Sequence, residues 1–147
     1  MITSLFRSNF SGGFSFQAVW LVVRIMASIL MIHNGLDKLA DISGFADNVV
    51  VAIGLPYPIF FSYCAAYIEI IGAIFLALGF LTRPSAIALF STMLIAIYFH
   101  IKVDGLVIRP SETASLYALL YFLFAINGSG TISVDNWLAK LLSKRSQ

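Results

Sequence analysis

Two ionisable residues lie deep in apolar sequence. Arg24 sits in VWLVVRIMASILMIHNGLDK (19–38) and Glu69 in CAAYIEIIGAIFLALG (64–79). A guanidinium and a carboxylate that meet away from water form a hydrogen-bonded ion pair. Such a pair either locks two helices or serves as a polar centre for protons or a ligand head group. Arg24 is eight residues from the start of its apolar run at 16, and Glu69 ten from the end of its run at 79. At about 1.5 Å per residue, antiparallel helices aligned at those ends place the two charges within about 3 Å in depth. Small residues flank each: Ala27, Ser28 and Gly35 near Arg24, and Ala65, Gly72 and Ala73 near Glu69. Close helix approach in lipid favours such neighbours. An Arg24–Glu69 pair is therefore predicted, offsetting part of the roughly 2.5–3.5 kcal/mol that a lone central charge costs.

A second polar group gathers at the far ends of the apolar runs: His33, Asn34, Asp37 and Lys38, then His100, then Glu112. Lys38 is 14 residues from Arg24 and shares its face, whereas His33 falls about half a turn round. Two histidines near one membrane face raise haem or copper ligation. Their spacing is no metal motif and their faces diverge, so neither haem nor a metal site is expected. No phosphate-binding loop occurs, since NGSG (127–130) lacks a lysine, and no Ser/His/Asp spacing points to a catalytic set. The chain has no cofactor motif and no catalytic motif of its own. Tyr63/Tyr67 and Tyr117/Tyr121, each four apart, suit packing or the membrane interface.

The elements that must position these groups are four apolar runs, about 16–36, 58–79, 84–101 and 111–127. They are continuous rather than alternating, which favours membrane-crossing helices over strands. Composition agrees: 60% of the 147 residues are hydrophobic and 11% charged, against about 25% charged in a soluble domain. The predicted fold is all-α, a transmembrane four-helix bundle with short interfacial helices. Residues 1–15 form an N-terminal tail, 16–130 the bundle and 131–147 an amphipathic C-terminal segment. GFLTRPS (79–85) makes runs two and three a hairpin, with Gly79 ending one helix and Thr82 capping the next. Ser43 is expected to cap a short interfacial helix carrying Phe45, Val49 and Ile53 on one face. Ser133 should cap a last helix with Trp137, Leu138, Leu141 and Leu142 on its apolar side and Lys140, Lys144 and Arg145 toward anionic lipid.

A net charge of +2 without clustered basic residues argues against nucleic acid. The lone Cys64 excludes a disulfide within one chain. Arg7, Arg83, Lys140, Lys144 and Arg145 fall on one side, and Lys38, Lys102 and Arg109 on the other. The five-to-three bias predicts a multi-pass protein with both termini cytoplasmic, and the expected location is a bacterial inner membrane.

Arg24, MIHNGLDKL, GLPYP, Glu69, GAIFLALGFLTRPSA and NGSGTISVDNWL follow one another in an order that resembles the DoxX family of small four-helix membrane proteins, over roughly residues 16–138. On that resemblance, Arg24 matches the arginine of helix one, Gly35 and Lys38 its Gly-x-x-Lys, Glu69 the acid of helix two and Asp135 the acid of the closing S-x-D. The family often has His directly before that Gly. Here Asn34 stands there, with His33 one step earlier. The resemblance implies a redox-linked membrane subunit like those of thiosulfate–quinone oxidoreductases. The expected function is an accessory subunit of a quinone-linked complex, with quinone near Arg24 and Glu69 and a partner carrying the electrons. The alternatives are a structural or assembly protein, and a small transporter, working as a homo-oligomer, gated by the Arg24–Glu69 pair.

Overall fold

The computed structural model describes residues 13–144. Of the expected residue 1–15 tail, residues 1–12, including Arg7, lie outside the described residues, as does Arg145, while Phe14 and Ser15 belong to the first helix. The described residues form six helices joined by short loops, with no strand among them: α1 Phe14–Ala40, α2 Ile42–Ile53, α3 Pro58–Leu78, α4 Thr82–Asp104, α5 Ile108–Asn127 and α6 Val134–Lys144. The helical membrane bundle read from the sequence is thus the observed architecture.

Helices α1, α3 and α4 are long and apolar enough to cross a membrane. Helix α5 runs 20 residues, its apolar stretch preceded by Arg109, Ser111 and Glu112 in the first turns. Prolines occur only where a helix tolerates them: Pro58 opens α3, and Pro84 and Pro110 lie in the first turns of α4 and α5. Gly79 ends α3 in the left-handed conformation (φ 65°), with its N–H donating to Leu76 O and that of Phe80 to Phe75 O. Two caps differ from expectation. Asp41, not Ser43, caps α2, accepting from the Gly44 N–H at 2.9 Å. Thr82 does not cap α4; a distant carboxylate does, as described below. Helix α2 contains a π-helical turn, Ala46–Val50.

Helix α1 packs along α3, α3 along α4, and α4 along α5. Met31, Ala73, Leu76, Leu89, Tyr121 and Phe124 fill the centre. The outward faces are aliphatic, with Val22, Ile29, Ile71, Leu94 and Leu119 all exposed. Lipid satisfies such a surface and water does not. The α1–α3 seam is close because of Gly35: a Cβ there would lie 2.7 Å from Ile70 Cγ1 and 3.0 Å from the Ala66 carbonyl oxygen. Gly35→Ala should cost about 1–3 kcal/mol by forcing the helices apart. Gly13→Ala, with nothing within 4 Å of the added carbon, is the control. Thermal unfolding in detergent, followed by circular dichroism, checks this.

Candidate functional site

The predicted Arg24–Glu69 pair does not form: among the described residues the carboxylate of Glu69 pairs with Lys38, and Arg24 is in no salt bridge. The reason is register. Gly35 lies against Ala66 and Glu69, and Arg24 lies beside Gly79, where an added Cβ would be 2.9 Å from its Nη1. Helix α1 is therefore shifted by about eight residues, about 12 Å, from the end-to-end alignment assumed from the sequence. The two charges serve opposite ends of the bundle, and a gate made of their contact has no counterpart.

At the Arg24 end the polar groups make a clasp. Arg24 is 1% exposed. Its Nη1 donates to the Ser129 carbonyl oxygen and its Nη2 to that of Ile132 at 2.9 Å. One and two turns earlier on the same helix, Trp20 Nε1 donates to Gly128 O at 3.1 Å, and Gln17 Oε1 accepts from the Thr131 N–H at 2.8 Å. The Trp20 and Phe124 rings, 4.5 Å apart, tie α1 to α5. Asp135, 1% exposed, accepts from the N–H groups of Leu81 (2.8 Å) and Thr82 (2.9 Å). It is the cap of α4, reaching 53 residues back, and it steadies Leu81 in the left-handed region (φ 45°) that a non-glycine residue avoids. Ser133 Oγ accepts from the Asn136 N–H at 3.2 Å, capping α6 as expected. Trp137, Leu141 and Leu142 of α6 are exposed.

At the other end a cavity of about 580 Å³ opens among residues of α1 to α5. That volume is within the range of small-molecule sites. Its polar base is Lys38, whose Nζ is 2.6 Å from Glu69 Oε2, and Asn34, whose Nδ2 donates to the same oxygen at 3.4 Å. Glu69 is 2% exposed, and no hydrogen-bond donor reaches its Oε1 among the described residues. Glu69 lines the cavity. Phe45 and Val49 of α2 cover one side, with the Phe45 ring 5.3 Å from the Lys38 ammonium. Met93, Ala96, Phe99, Ala114 and Tyr117 form the apolar walls. Tyr121, fully buried one turn below Tyr117, stacks on it at 5.8 Å and leaves its hydroxyl without a partner. Leu30 and Ile95 line the cavity and are about half exposed, so its rim reaches the lipid-facing surface.

Of the predicted polar cluster, His33, Asn34, Asp37, Lys38 and His100 line this cavity; Glu112 is exposed and does not. The histidines remain separate. His33 Nε2 is 3.4 Å from Asp37, and His100 Nδ1 is 3.1 Å from Asp104, each one turn along its own helix. Among the described residues no three His, Cys, Asp or Glu side chains converge as a metal site would need. The sequence reading missed the Lys38–Glu69 pair and the clasp. The small-residue contact of Gly35 with Ala66 would have given the register and hence the pair.

A family model, DoxX, matches residues 19–101, which include Arg24, Gly35, Lys38 and Glu69. The chain belongs to the DoxX family. Among relatives of this DoxX protein, an uncharacterized protein of Haemophilus influenzae is 32% identical over 119 residues, covering 78% of this chain and 86% of that one. Escherichia coli inner membrane protein YphA is 30% identical over 134 residues, 86% of this chain and 94% of that one. A Bacillus subtilis protein named "Putative oxidoreductase CatD" is 29% identical over 126 residues, 86% of this chain and 91% of that one. No solved structure matches the chain at a significant level.

Proposed function

We propose that this DoxX protein is the membrane subunit of a quinone-linked redox complex, and that its cavity holds the quinone ring. The observation that carries this reading is a half-open apolar cavity ending in a buried Lys38–Glu69 pair and reaching the lipid face beside Leu30 and Ile95. A lipid-dissolved molecule with a polar ring and an apolar chain matches that distribution of surfaces. The name of the Bacillus subtilis relative is in keeping with it. Lys38, Asn34 and Tyr117 would hold the ring's oxygens. The quinone would supply the two-electron chemistry, and an electron-carrying protein partner would supply or take the electrons.

The positive-inside bias supports an orientation with the Lys38 end outside and both termini cytoplasmic, and the Escherichia coli relative's name is in keeping with a bacterial inner membrane. It also puts α6, with Lys140 and the exposed Trp137, on the anionic cytoplasmic leaflet. A competing reading is a structural or assembly role, favoured by the clasp at Arg24, in which Gln17, Trp20 and both terminal nitrogens of Arg24 hold residues 128–132.

The test is equilibrium binding of a decyl-chain benzoquinone in detergent. Ala114→Phe fills the cavity without touching the ion pair and should abolish binding while unfolding at a temperature close to that of the parent. Lys38→Met should weaken binding by about tenfold or more through loss of a charged donor. Binding untouched by both substitutions would refute the quinone reading and leave the structural role.

A further inference from the structure

Hydrogen-bonding capacity at the base of the cavity is unevenly spent. Lys38 Nζ is engaged by Glu69 Oε2 at 2.6 Å, by the Asn34 carbonyl oxygen at 3.5 Å and by the Phe45 ring. Asn34 Nδ2 is shared between Glu69 Oε2 at 3.4 Å and Met31 Sδ at 3.7 Å. Both donors there already have an acceptor within the protein, so each shares what it can offer a ligand. Glu69 Oε1 has no donor. It is an acceptor in a low-dielectric site, on a side chain whose other oxygen is ion-paired with the Lys38 ammonium at 2.6 Å. Tyr117, on the wall, carries a hydroxyl that can either donate or accept, so it fits a carbonyl and a phenol alike. The histidines are tied to Asp37 and Asp104.

From this we infer that the cavity takes the reduced form of its ligand, a hydroquinone, in preference to the quinone. The inference rests on the quinone reading above. A hydroquinone donates an O–H to Glu69 Oε1. A quinone offers only carbonyl oxygens, which set lone pair against lone pair at that atom and leave it unpaired. A charge-assisted bond gained on one side and a buried acceptor stranded on the other act in the same direction. The same argument orients the ring, with one hydroxyl at Glu69 and the chain leaving past Leu30 and Ile95.

The experiment compares three probes on the full chain in detergent under argon: a decyl-chain hydroquinone, the matching quinone, and the hydroquinone's dimethyl ether, which has the same shape and no donor. The hydroquinone should bind at least about tenfold more tightly than either of the others. Glu69→Gln, whose carboxamide both donates and accepts, should narrow the difference between hydroquinone and quinone. Quinone binding as tight as hydroquinone, or tighter, would overturn the preference and leave the quinone site standing. A dimethyl ether as tight as the hydroquinone would show that no donor is read, which also overturns it. Failure of all three probes to bind would overturn the preference and the quinone reading together.

Discussion

Lys38→Met should lower the stability of the folded protein by about 3 kcal/mol, and adding Glu69→Leu should restore most of it. The pair is well enclosed, with side-chain exposures of 13% for Lys38 and 3% for Glu69, so solvent screens it little. Removing the ammonium leaves a carboxylate beside Met31 and the apolar walls with only the amide of Asn34 for company. Removing both charges exchanges an ion pair for apolar volume, which such sites accept with small loss. Urea or thermal unfolding of the parent, the two single variants and the double variant closes the cycle. A double variant as unstable as the worse single variant would show that the 2.6 Å contact contributes no mutual stabilisation. The same four proteins separate structure from function: a double variant that folds like the parent and no longer binds hydroquinone assigns the pair to the ligand.

Arg24→Leu is the other large effect, about 2–5 kcal/mol, from a different cause. Two carbonyl oxygens, of Ser129 and Ile132, lose their donors inside the protein, and each costs about 1–3 kcal/mol. The partners are main-chain atoms, so no substitution at Glu69 compensates. Glu69 is ten residues from Gly79 along α3, about 15 Å of helix, and Arg24 lies at the Gly79 level. Arg24→Leu and Glu69→Gln should therefore add to within about 0.5 kcal/mol. Rescue of one by the other in unfolding measurements would reinstate the ion pair that the observed register forbids. Proteolysis gives a second readout, because α6 should become cleavable in Arg24→Leu once residues 128–135 lose their anchor.

The helices and their order were legible because the signal is redundant. Twenty or so apolar residues in a row, ended by Gly79 and reopened at Pro84, allow few other structures. The partners of the buried charges were not legible. Periodicity tells which face a residue is on but leaves the sliding of one helix along another undefined, and an error of eight residues sends Arg24 to the wrong partner. The steric record of Gly35 against Ala66 fixes that sliding, but a glycine in an apolar run does not announce its neighbour. Asp135 was visible as an acid near the end of the chain. Its task of holding Leu81 and Thr82 depends on a contact across 53 residues, which no local pattern encodes. The cavity is lined from five helices, a property of the packed bundle rather than of any one of them.

The clasp also sets an order of events during synthesis. The acceptors for Arg24 are 105 and 108 residues further along the chain. Until those residues leave the ribosome, the first span carries a bare cation in the bilayer with no mate. A nascent chain interrupted before residue 129 would keep that cation unmatched. Its first helix should be retained by the insertion machinery or by a membrane protease that senses such charges, whereas the completed chain buries the signal as its last step of closure.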